Sequence, residues 1–327
     1  MTDPISRDDV DAAVRVVSQH LPRTPLYEWP GLSEIVGCRY YLKHENHLPV
    51  GAFKVRGGVN LVGTLSEDER QRGLIGVSTG NHAQSLAFAG RKFDVPVKIV
   101  VPAVNNPGKI AAVRTWGAEI IEHGHDFDAA REHCEALAEK HHYRYVHSAN
   151  EPKLIAGVAT CAMEIFDDLP RPDVILVPIG LGSGASSASL VAHWRSPATR
   201  VIGVQAENAS AVAQSWRQGT MITTPSADTW CEGMATRVPA EMTLDLLRRY
   251  LHDVILVSED ALRQAARLVI EQTHNLVEGA GAASTAAALR LAQDLDLRGK
   301  TVVGVLSGGN LDLRELPRVM AAGLESF

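Results

Sequence analysis

The chain has 327 residues, of which 45% are hydrophobic and 21% charged, a composition typical of a globular protein with an ample core. Its 32 basic and 38 acidic residues give a net charge of −6 without any basic run, which argues against a nucleic-acid-binding surface. The acidic N-terminus has no apolar signal core, no stretch has the length of a membrane span, and the four cysteines lie far apart without a CxxC pair. We therefore expect a cytoplasmic protein with reduced thiols and with neither a membrane nor a nucleic-acid partner.

Short β-branched strands alternate along the chain with longer amphipathic helices. Strands are predicted at 74–78, 97–101, 118–122, 174–178, 201–205, 254–258 and 301–306, and helices at 81–93, 126–141, 153–168, 259–274 and 280–293. This alternation predicts an α/β fold built on parallel sheets. The segment 217–239 has no such pattern, and its length favours a loop that lines a site.

The stretch VGAFKVRGG places Lys54 between Gly51 and the pair Gly57 and Gly58. Glycines let a backbone approach a ligand closely, and they could direct the lysine amine into a site. Loss of solvent there would lower the pKa of the amine and make it a nucleophile. An exposed lysine at the start of a helix is the alternative interpretation.

A glycine-rich turn follows the strand at 174–178 in VILVPIGLGSGAS. Its glycines permit a tight path, and backbone N–H groups at the start of the next helix make an anion site, to which Ser183 and Ser186 could add hydroxyl donors. The same turn nearly fits a dinucleotide fingerprint, with Glu207 as the ribose-binding acid. A nicotinamide-dependent oxidoreductase is therefore an alternative.

Three further motifs carry polar groups. In VSTGNH, Ser78 and Thr79 are either helix caps or, with the residues that follow, donors to a carboxylate and a phenolic oxygen. Ser307 ends the last strand and could offer a hydroxyl to a ring nitrogen, while Glu278 precedes a small-residue helix, where an acid also suits the helix dipole. An amine, a phosphate site, a ring-oxygen donor and a ring-nitrogen partner together suit pyridoxal phosphate better than a nicotinamide.

In this order the motifs resemble those of the fold-type II pyridoxal-phosphate enzymes, specifically the threonine/serine dehydratase group, which also contains the serine racemases. The likeness runs from RTPLYEW at 23–29 through the stretches quoted above and NEPKLIAGVAT to HNLVEGAGAAS and LSGGN. The resemblance implies two parallel-sheet domains, as in the tryptophan synthase β fold, with the cofactor between them. The larger domain would comprise residues 1–50 and 148–327, and the smaller one residues 51–147.

The resemblance also implies a role for each site residue. Lys54 would form the internal aldimine and act with Thr79 as a catalytic residue. The implied cofactor-binding residues, besides Lys54, are Phe53, Asn81, Gly180, Leu181, Gly182, Ser183, Gly184, Glu278 and Ser307. The implied substrate-binding residues are Ser78, Thr79, Gly80, Asn81 and His82.

The chain departs from the family pattern at several positions. Leu181 and Ser183 interrupt a run of glycines, which keeps the backbone donors if Leu181 has a negative φ. Gln205 and Ala211 stand where racemases hold a divalent metal with acids, so we expect no metal. Cys231, with Glu232 and Gly233 after it, replaces the usual Ala-Asp-Gly and could alter substrate choice.

The expected activity is the β-elimination of a 3-hydroxy amino acid, L-threonine or L-serine, to a 2-oxo acid and ammonia. A racemase and a dehydratase for a bulkier 3-hydroxy amino acid are the nearest alternatives, and a non-catalytic ligand sensor is an alternative of another class. Family habit suggests a homodimer or homotetramer. Because Thr79 stands where racemases tend to carry a catalytic serine, some racemase activity stays open.

Overall fold

The computed structural model describes residues 3–104, 107–294 and 297–323. Its helices are α1 (Arg7–His20), α2 (Pro30–Val36), α3 (Lys54–Gly63), α4 (Glu67–Arg72), α5 (Asn81–Phe93), α6 (Pro107–Thr115), α7 (Phe127–His141), α8 (Pro152–Asp168), α9 (Ser183–Arg195), α10 (Ala211–Gln218), α11 (Glu241–Tyr250), α12 (Glu259–Thr273), α13 (Gly279–Asp294) and α14 (Leu316–Ala321). Its strands are β1 (Leu26–Glu28), β2 (Arg39–His44), β3 (Leu74–Val77), β4 (Val97–Val101), β5 (Glu119–Glu122), β6 (Arg144–Tyr145), β7 (Val174–Pro178), β8 (Arg200–Ala206), β9 (Asp253–Val257) and β10 (Thr301–Leu306).

The chain forms two compact units, which we call unit 1 (Met1–Pro22 and Lys54–Thr160) and unit 2 (Arg23–Phe53 and Cys161–Phe327). The predicted domain boundaries differ from these units. Residues 1–22 and 148–160, assigned from the sequence to the larger domain, lie in unit 1, and residues 51–53, assigned to the smaller domain, lie in unit 2. The reason is local packing, because α1 contacts α3 and the backbone of α8 comes close to that of α3 at Gly157.

Unit 2 contains a six-stranded sheet in the order β1-β2-β10-β7-β8-β9. Its strands are parallel except for β1, which pairs antiparallel with β2. Apolar side chains from β7, β8 and β10 form one core with α12 and α13, and Leu176, Ile202 and Leu306 within it are fully buried. The carboxyl ends of β7 and β10, neighbours in this sheet, therefore lie at the same edge.

Unit 1 contains a four-stranded sheet in the order β5-β4-β3-β6, with all pairs parallel. Helix α7 packs on β3 and β4, where Ile75, Val100 and Cys134 are buried. Helix α3 packs most extensively against α5. The predicted α/β class with parallel sheets is thus confirmed, and none of the helices in the described ranges combines the length and hydropathy of a membrane span.

Gly57 and Gly58 lie inside α3 and not in a turn, which corrects the interpretation that they give Lys54 backbone freedom. A Cβ atom added at Gly58 would clash with the Ser85 hydroxyl of α5, and one at Gly57 would lie 2.8 Å from the Leu154 carbonyl oxygen. These two glycines allow close helix packing. Gly51, with φ of +69°, is a turn glycine as expected.

Candidate active site

Lys54 is the first residue of α3 in unit 1. Its Nζ donates a hydrogen bond to the carbonyl oxygen of Ser148 at 3.4 Å, and its own carbonyl oxygen accepts one from Ser85 Oγ at 2.7 Å. Burial lowers the pKa of the Lys54 amine to about 8. A neutral fraction of the amine is therefore present near neutral pH, as a nucleophile or a general base requires.

Two histidines near Lys54 are held neutral. Burial, and next the charge of Lys54, lower the pKa values of His82, to about 3, and of His147. A neutral His82 donates through Nε2 to the Val146 carbonyl oxygen at 3.3 Å, while Nδ1 of His147 accepts the Ala149 N–H at 3.0 Å. Neither ring therefore adds a second buried cation beside the amine.

The loop at 78–82 follows β3 and leads into α5. Gly80 is the N-cap residue, its N–H donates to Ser78 Oγ at 3.1 Å, and no side chain caps the helix. Ser78 and Thr79 are therefore not helix caps. The interpretation that remains is that they and the residues after them donate to a carboxylate and a phenolic oxygen. The half-buried hydroxyl of Thr79 has no partner among the residues that the structure describes. Such a helix start, rich in N–H donors, suits a carboxylate.

The glycine-rich turn at 180–184 links β7 to α9 in unit 2. Gly182 is the N-cap with φ of +92°, and a Cβ atom added there would lie 2.9 Å from Leu247 Cδ1. A Cβ atom at Gly180 would clash with the carbonyl oxygen of Gly233. Both positions therefore require glycine. Leu181 is not among the residues with positive φ, so its backbone meets the condition under which the turn keeps its N–H donors.

The donor set of this turn fits a phosphate. The first N–H groups of α9 have no intrahelical partner by geometry, and the N-cap residue Gly182 has no side chain that could cap them. The backbone of Gly182 has room only for a glycine, so the turn approaches its neighbours closely. Ser186 does not add a donor here, because its hydroxyl donates to the Ser183 carbonyl oxygen at 3.3 Å.

Ser307 and Phe53 lie close together in unit 2. The Phe53 N–H donates to the Ser307 carbonyl oxygen at 3.0 Å, and Ala52 forms an antiparallel bridge with Gly308. The buried Ser307 hydroxyl has no hydrogen-bond partner among the described residues, so it can serve a ring nitrogen. The Phe53 ring lies 3.6 Å from the Cβ position of Gly184, which brings this pair beside the glycine-rich turn.

Glu278 lies in the same part of unit 2. A Cβ atom added at Gly308 would clash with Glu278 Oε1, so the carboxylate lies against the turn that follows β10. The Glu278 N–H donates to the Gly308 carbonyl oxygen at 3.2 Å, and α13 begins at the next residue. The predicted site residues of unit 2 thus lie at one edge of its sheet; they are Phe53, Gly180, Leu181, Gly182, Ser183, Gly184, Glu278 and Ser307. The predicted site residues of unit 1 lie on α3 and on the loop before α5; they are Lys54, Ser78, Thr79, Gly80, Asn81 and His82.

The carbonyl of Ser148 and the imidazole of His147 belong to none of the predicted motifs, yet both lie near the Lys54 amine. Both follow β6, a strand of two residues that carries no periodic signal. The polar run HSAN at its end was the available clue.

Gln205 stands at the position where a metal ligand would lie in a racemase. Its Oε1 accepts the Ala213 N–H at 2.9 Å. Within the described ranges no group of three or more His, Cys, Asp or Glu is placed to hold a metal.

The chain is similar to known proteins in its family pattern, its sequence and its fold. A family model described as pyridoxal-phosphate-dependent enzyme matches residues 17–308. The L-threonine ammonia-lyase of Thermotoga maritima is 38% identical over 320 residues, which are 98% of this chain and 79% of that protein. Among solved structures, the processed form of threonine deaminase isoform 2 from Solanum lycopersicum has a TM-score of 0.93 at 28% identity, covering 99% of this chain and 96% of that one. Maize serine racemase has a TM-score of 0.91 at 28% identity, covering 97% of each chain.

Proposed function

Since this chain belongs to the family of pyridoxal-phosphate-dependent enzymes, we propose that it dehydrates and deaminates a 3-hydroxy amino acid, with L-threonine and L-serine as substrates, to a 2-oxo acid and ammonia. The observation that carries the proposal is the buried amine of Lys54, whose pKa is lowered to about 8. The similarity to threonine ammonia-lyase and threonine deaminase supports the choice of substrate. Family membership also removes the nicotinamide alternative left open by the turn at 180–185.

The residues described above fit pyridoxal phosphate. We propose that Lys54 carries the cofactor, that the turn at 180–184 binds its phosphate and that Phe53 packs on its ring. Asn81 would donate to the phenolic oxygen, and Ser307 would bind the ring nitrogen. Glu278 would complete this set from the turn beside Ser307. Two features support this arrangement: the Ser307 hydroxyl without a hydrogen-bond partner in the described part of the chain, and the glycine-only positions of the turn.

When bound, the cofactor supplies an electron sink that stabilises negative charge at the substrate Cα. The Lys54 amine takes the Cα proton as general base, which its lowered pKa allows near neutral pH. The N–H groups at the start of α5, with the loop at 78–82, hold the substrate carboxylate. Ser307 would bind the ring nitrogen with a neutral hydroxyl and, unlike a carboxylate, would not keep that nitrogen protonated, which would favour elimination of the β-hydroxyl over transamination.

The first test is the visible spectrum of the purified protein, recorded before and after addition of L-threonine, together with an assay of ammonia release. We expect a cofactor band that shifts with substrate. Lys54→Ala should abolish ammonia release, and Lys92→Ala, which removes an exposed lysine of α5, should not. A protein that stays colourless with added pyridoxal phosphate would overturn the proposal. Cofactor binding without ammonia release from any 3-hydroxy amino acid would favour the sensor.

Racemisation is a second candidate, favoured by the Thr79 hydroxyl without a partner among the described residues and by the similarity to maize serine racemase. A racemase needs a second proton-exchanging group on the other face of Cα, and Thr79 is the proposed one. Chiral chromatography of serine recovered from partial turnover checks this. We expect Thr79→Ala to remove any D-serine while ammonia release persists, and equal D-serine from both proteins would exclude the role.

The cytoplasmic location and the homo-oligomer, a dimer or tetramer, stay predictions. Light scattering coupled to size-exclusion chromatography of the cofactor-loaded protein determines the oligomeric state directly. A monomer would contradict the prediction.

The effect of Glu232 on substrate choice is a separate question. It is tested by comparing ammonia release from a series of 3-hydroxy amino acids, including bulkier ones, in the wild type and in Glu232→Asp.

A further inference from the structure

Residues 229–234, which we call the linking segment, lie in the irregular stretch that connects α10 to α11 in unit 2. One short 3-10 turn, Glu232–Met234, is its regular element within the described residues. A segment with so little secondary structure depends on side-chain contacts for its position. Two sets of contacts, one at each end, supply that position.

Glu259, the first residue of α12, binds the beginning of the linking segment. Its Oε2 accepts hydrogen bonds from Thr229 Oγ1 at 3.0 Å and from the Trp230 N–H at 3.2 Å. The Trp230 indole Nε1 donates back to the Glu259 carbonyl oxygen at 3.3 Å. The Arg263 guanidinium lies over the same indole ring, 5.5 Å from its centroid. Glu259 thus ties both the backbone and the side chain of this end to a long helix.

The other end of the linking segment touches the glycine-rich turn. The carbonyl oxygen of Gly233 occupies the space that a Cβ atom at Gly180 would need. Met234 is fully buried, and its N–H donates to the Cys231 carbonyl oxygen at 2.7 Å. The sulfur of Cys231 in turn fills the space beside Gly279 at the start of α13. The segment therefore forms the wall against which Gly180 is placed.

We propose that Glu259 is a positioning residue for the phosphate site. It fixes Thr229 and Trp230, and through the short segment that follows it fixes the Gly233 carbonyl against Gly180. The inference rests on the proposed role of the turn at 180–184 in binding the cofactor phosphate. Glu259 itself touches neither substrate nor cofactor in this account. Its unused oxygen, the buried Oε1, has no hydrogen-bond partner among the described residues, so the contacts need an acceptor and not a second charge-bearing oxygen.

The test compares Glu259→Ala with Glu259→Gln, which keeps an acceptor at the same reach. Asp260→Asn is the matched control, because Asp260 lies next to Glu259 in the same helical turn but is exposed and makes none of these contacts to the linking segment. The measurements are titration of each apoprotein with pyridoxal phosphate and the ³¹P NMR signal of the bound cofactor. The ³¹P signal reports the surroundings of the phosphate directly, and overall stability does not move it.

We expect Glu259→Ala to weaken cofactor binding about tenfold and to shift the ³¹P signal, because the side-chain acceptor for the Thr229 hydroxyl and the Trp230 N–H is lost. Glu259→Gln should stay within about twofold of the wild type, as should Asp260→Asn. An unchanged affinity and signal in Glu259→Ala would overturn the inference, as would equal losses in the alanine and glutamine variants. If Glu259→Ala does not fold, Thr229→Val takes its place, which removes the hydroxyl that donates to Glu259 and accepts the Cys231 N–H. A weakened affinity with a shifted ³¹P signal would then support the inference, and an unchanged affinity and signal would overturn it.

The wild type separates this inference from the proposed function. If the wild type binds no pyridoxal phosphate, the proposed function fails. If it binds the cofactor and the Glu259 variants match it, the positioning role alone fails.

Discussion

Lys54 has an unusual setting for a lysine because its amine is buried. Burial lowers the pKa of the amine to about 8, and the Ser148 carbonyl oxygen accepts a hydrogen bond from it. The neutral rings of His82 and His147 leave this balance undisturbed at neutral pH. The Lys54 amine can therefore be neutral near neutral pH while its hydrogen bond to the Ser148 carbonyl oxygen holds it in place.

The lowered pKa predicts the pH at which the Lys54 amine becomes reactive. Competitive acetylation of the apoprotein, followed by mass spectrometry of the peptide that contains Lys54, should give a titration midpoint near pH 8, against 10.5 for an ordinary lysine. The unfolded chain binds the proton more tightly, so between pH 8 and 10.5 this residue makes the free energy of unfolding rise with pH. In Lys54→Met that contribution should vanish. A midpoint near 10.5 would contradict the buried setting.

The glycine-rich turn shows what an element can require of single positions. Gly182→Ala should cost about 1 kcal/mol of stability, because φ of +92° is strained for alanine, and should weaken cofactor binding, because the new methyl meets Leu247. Gly219→Ala is the matched control: its φ is +74°, but a Cβ atom there meets nothing within 4 Å. Thermal unfolding should show a stability loss in both variants, the larger one in Gly182→Ala because of the contact with Leu247, and cofactor titration should show a loss of affinity in Gly182→Ala alone. Equal affinities would argue against the turn as the phosphate site.

The sequence predicted the elements whose signal is local. All seven predicted strands are present, because each is a short run rich in β-branched residues, and the five predicted helices agree with the structure within about one residue. Strand β2 escaped prediction because it buries Lys43, whose charge is compensated by Glu164 at 2.6 Å and by the Thr24 carbonyl oxygen at 2.8 Å. Partners distant in sequence thus make a buried lysine tolerable, and no local pattern reveals them.

The site residues, like the secondary-structure elements, could be predicted where their signal is local in the sequence and not where it depends on distant residues. Lys54, the loop at 78–82, the turn at 180–184 and Ser307 could be found because each motif is contiguous in the sequence. The Ser148 carbonyl and the anchoring carboxylate of Glu259 could not, since tertiary structure alone brings them to Lys54 and to the linking segment. Helix α1 was not predicted, although Ser6 and Asp9 form a capping box whose spacing is visible in the sequence.

At the scale of the whole molecule, the four cysteines are all buried, and none of them forms a disulfide. Burial raises the pKa of Cys38 to about 11 and that of Cys134 to about 12, and it also raises the pKa of Cys231. A disulfide-exchange reagent should therefore modify none of them rapidly in the native protein, and all four after denaturation in guanidinium chloride. One thiol that reacts rapidly in the native state would contradict this burial.

The position of β10 in the sheet of unit 2 has a consequence for synthesis on the ribosome. β10 lies between β2 and β7 and pairs parallel with both, yet it comes last of the three in the chain. During translation β2 and β7 therefore emerge long before the strand that joins them, and each keeps an unpaired edge in the meantime. The nascent chain carries two sites for wrong strand pairing until residues 301–306 appear, and chaperone protection of those edges would matter most in that interval.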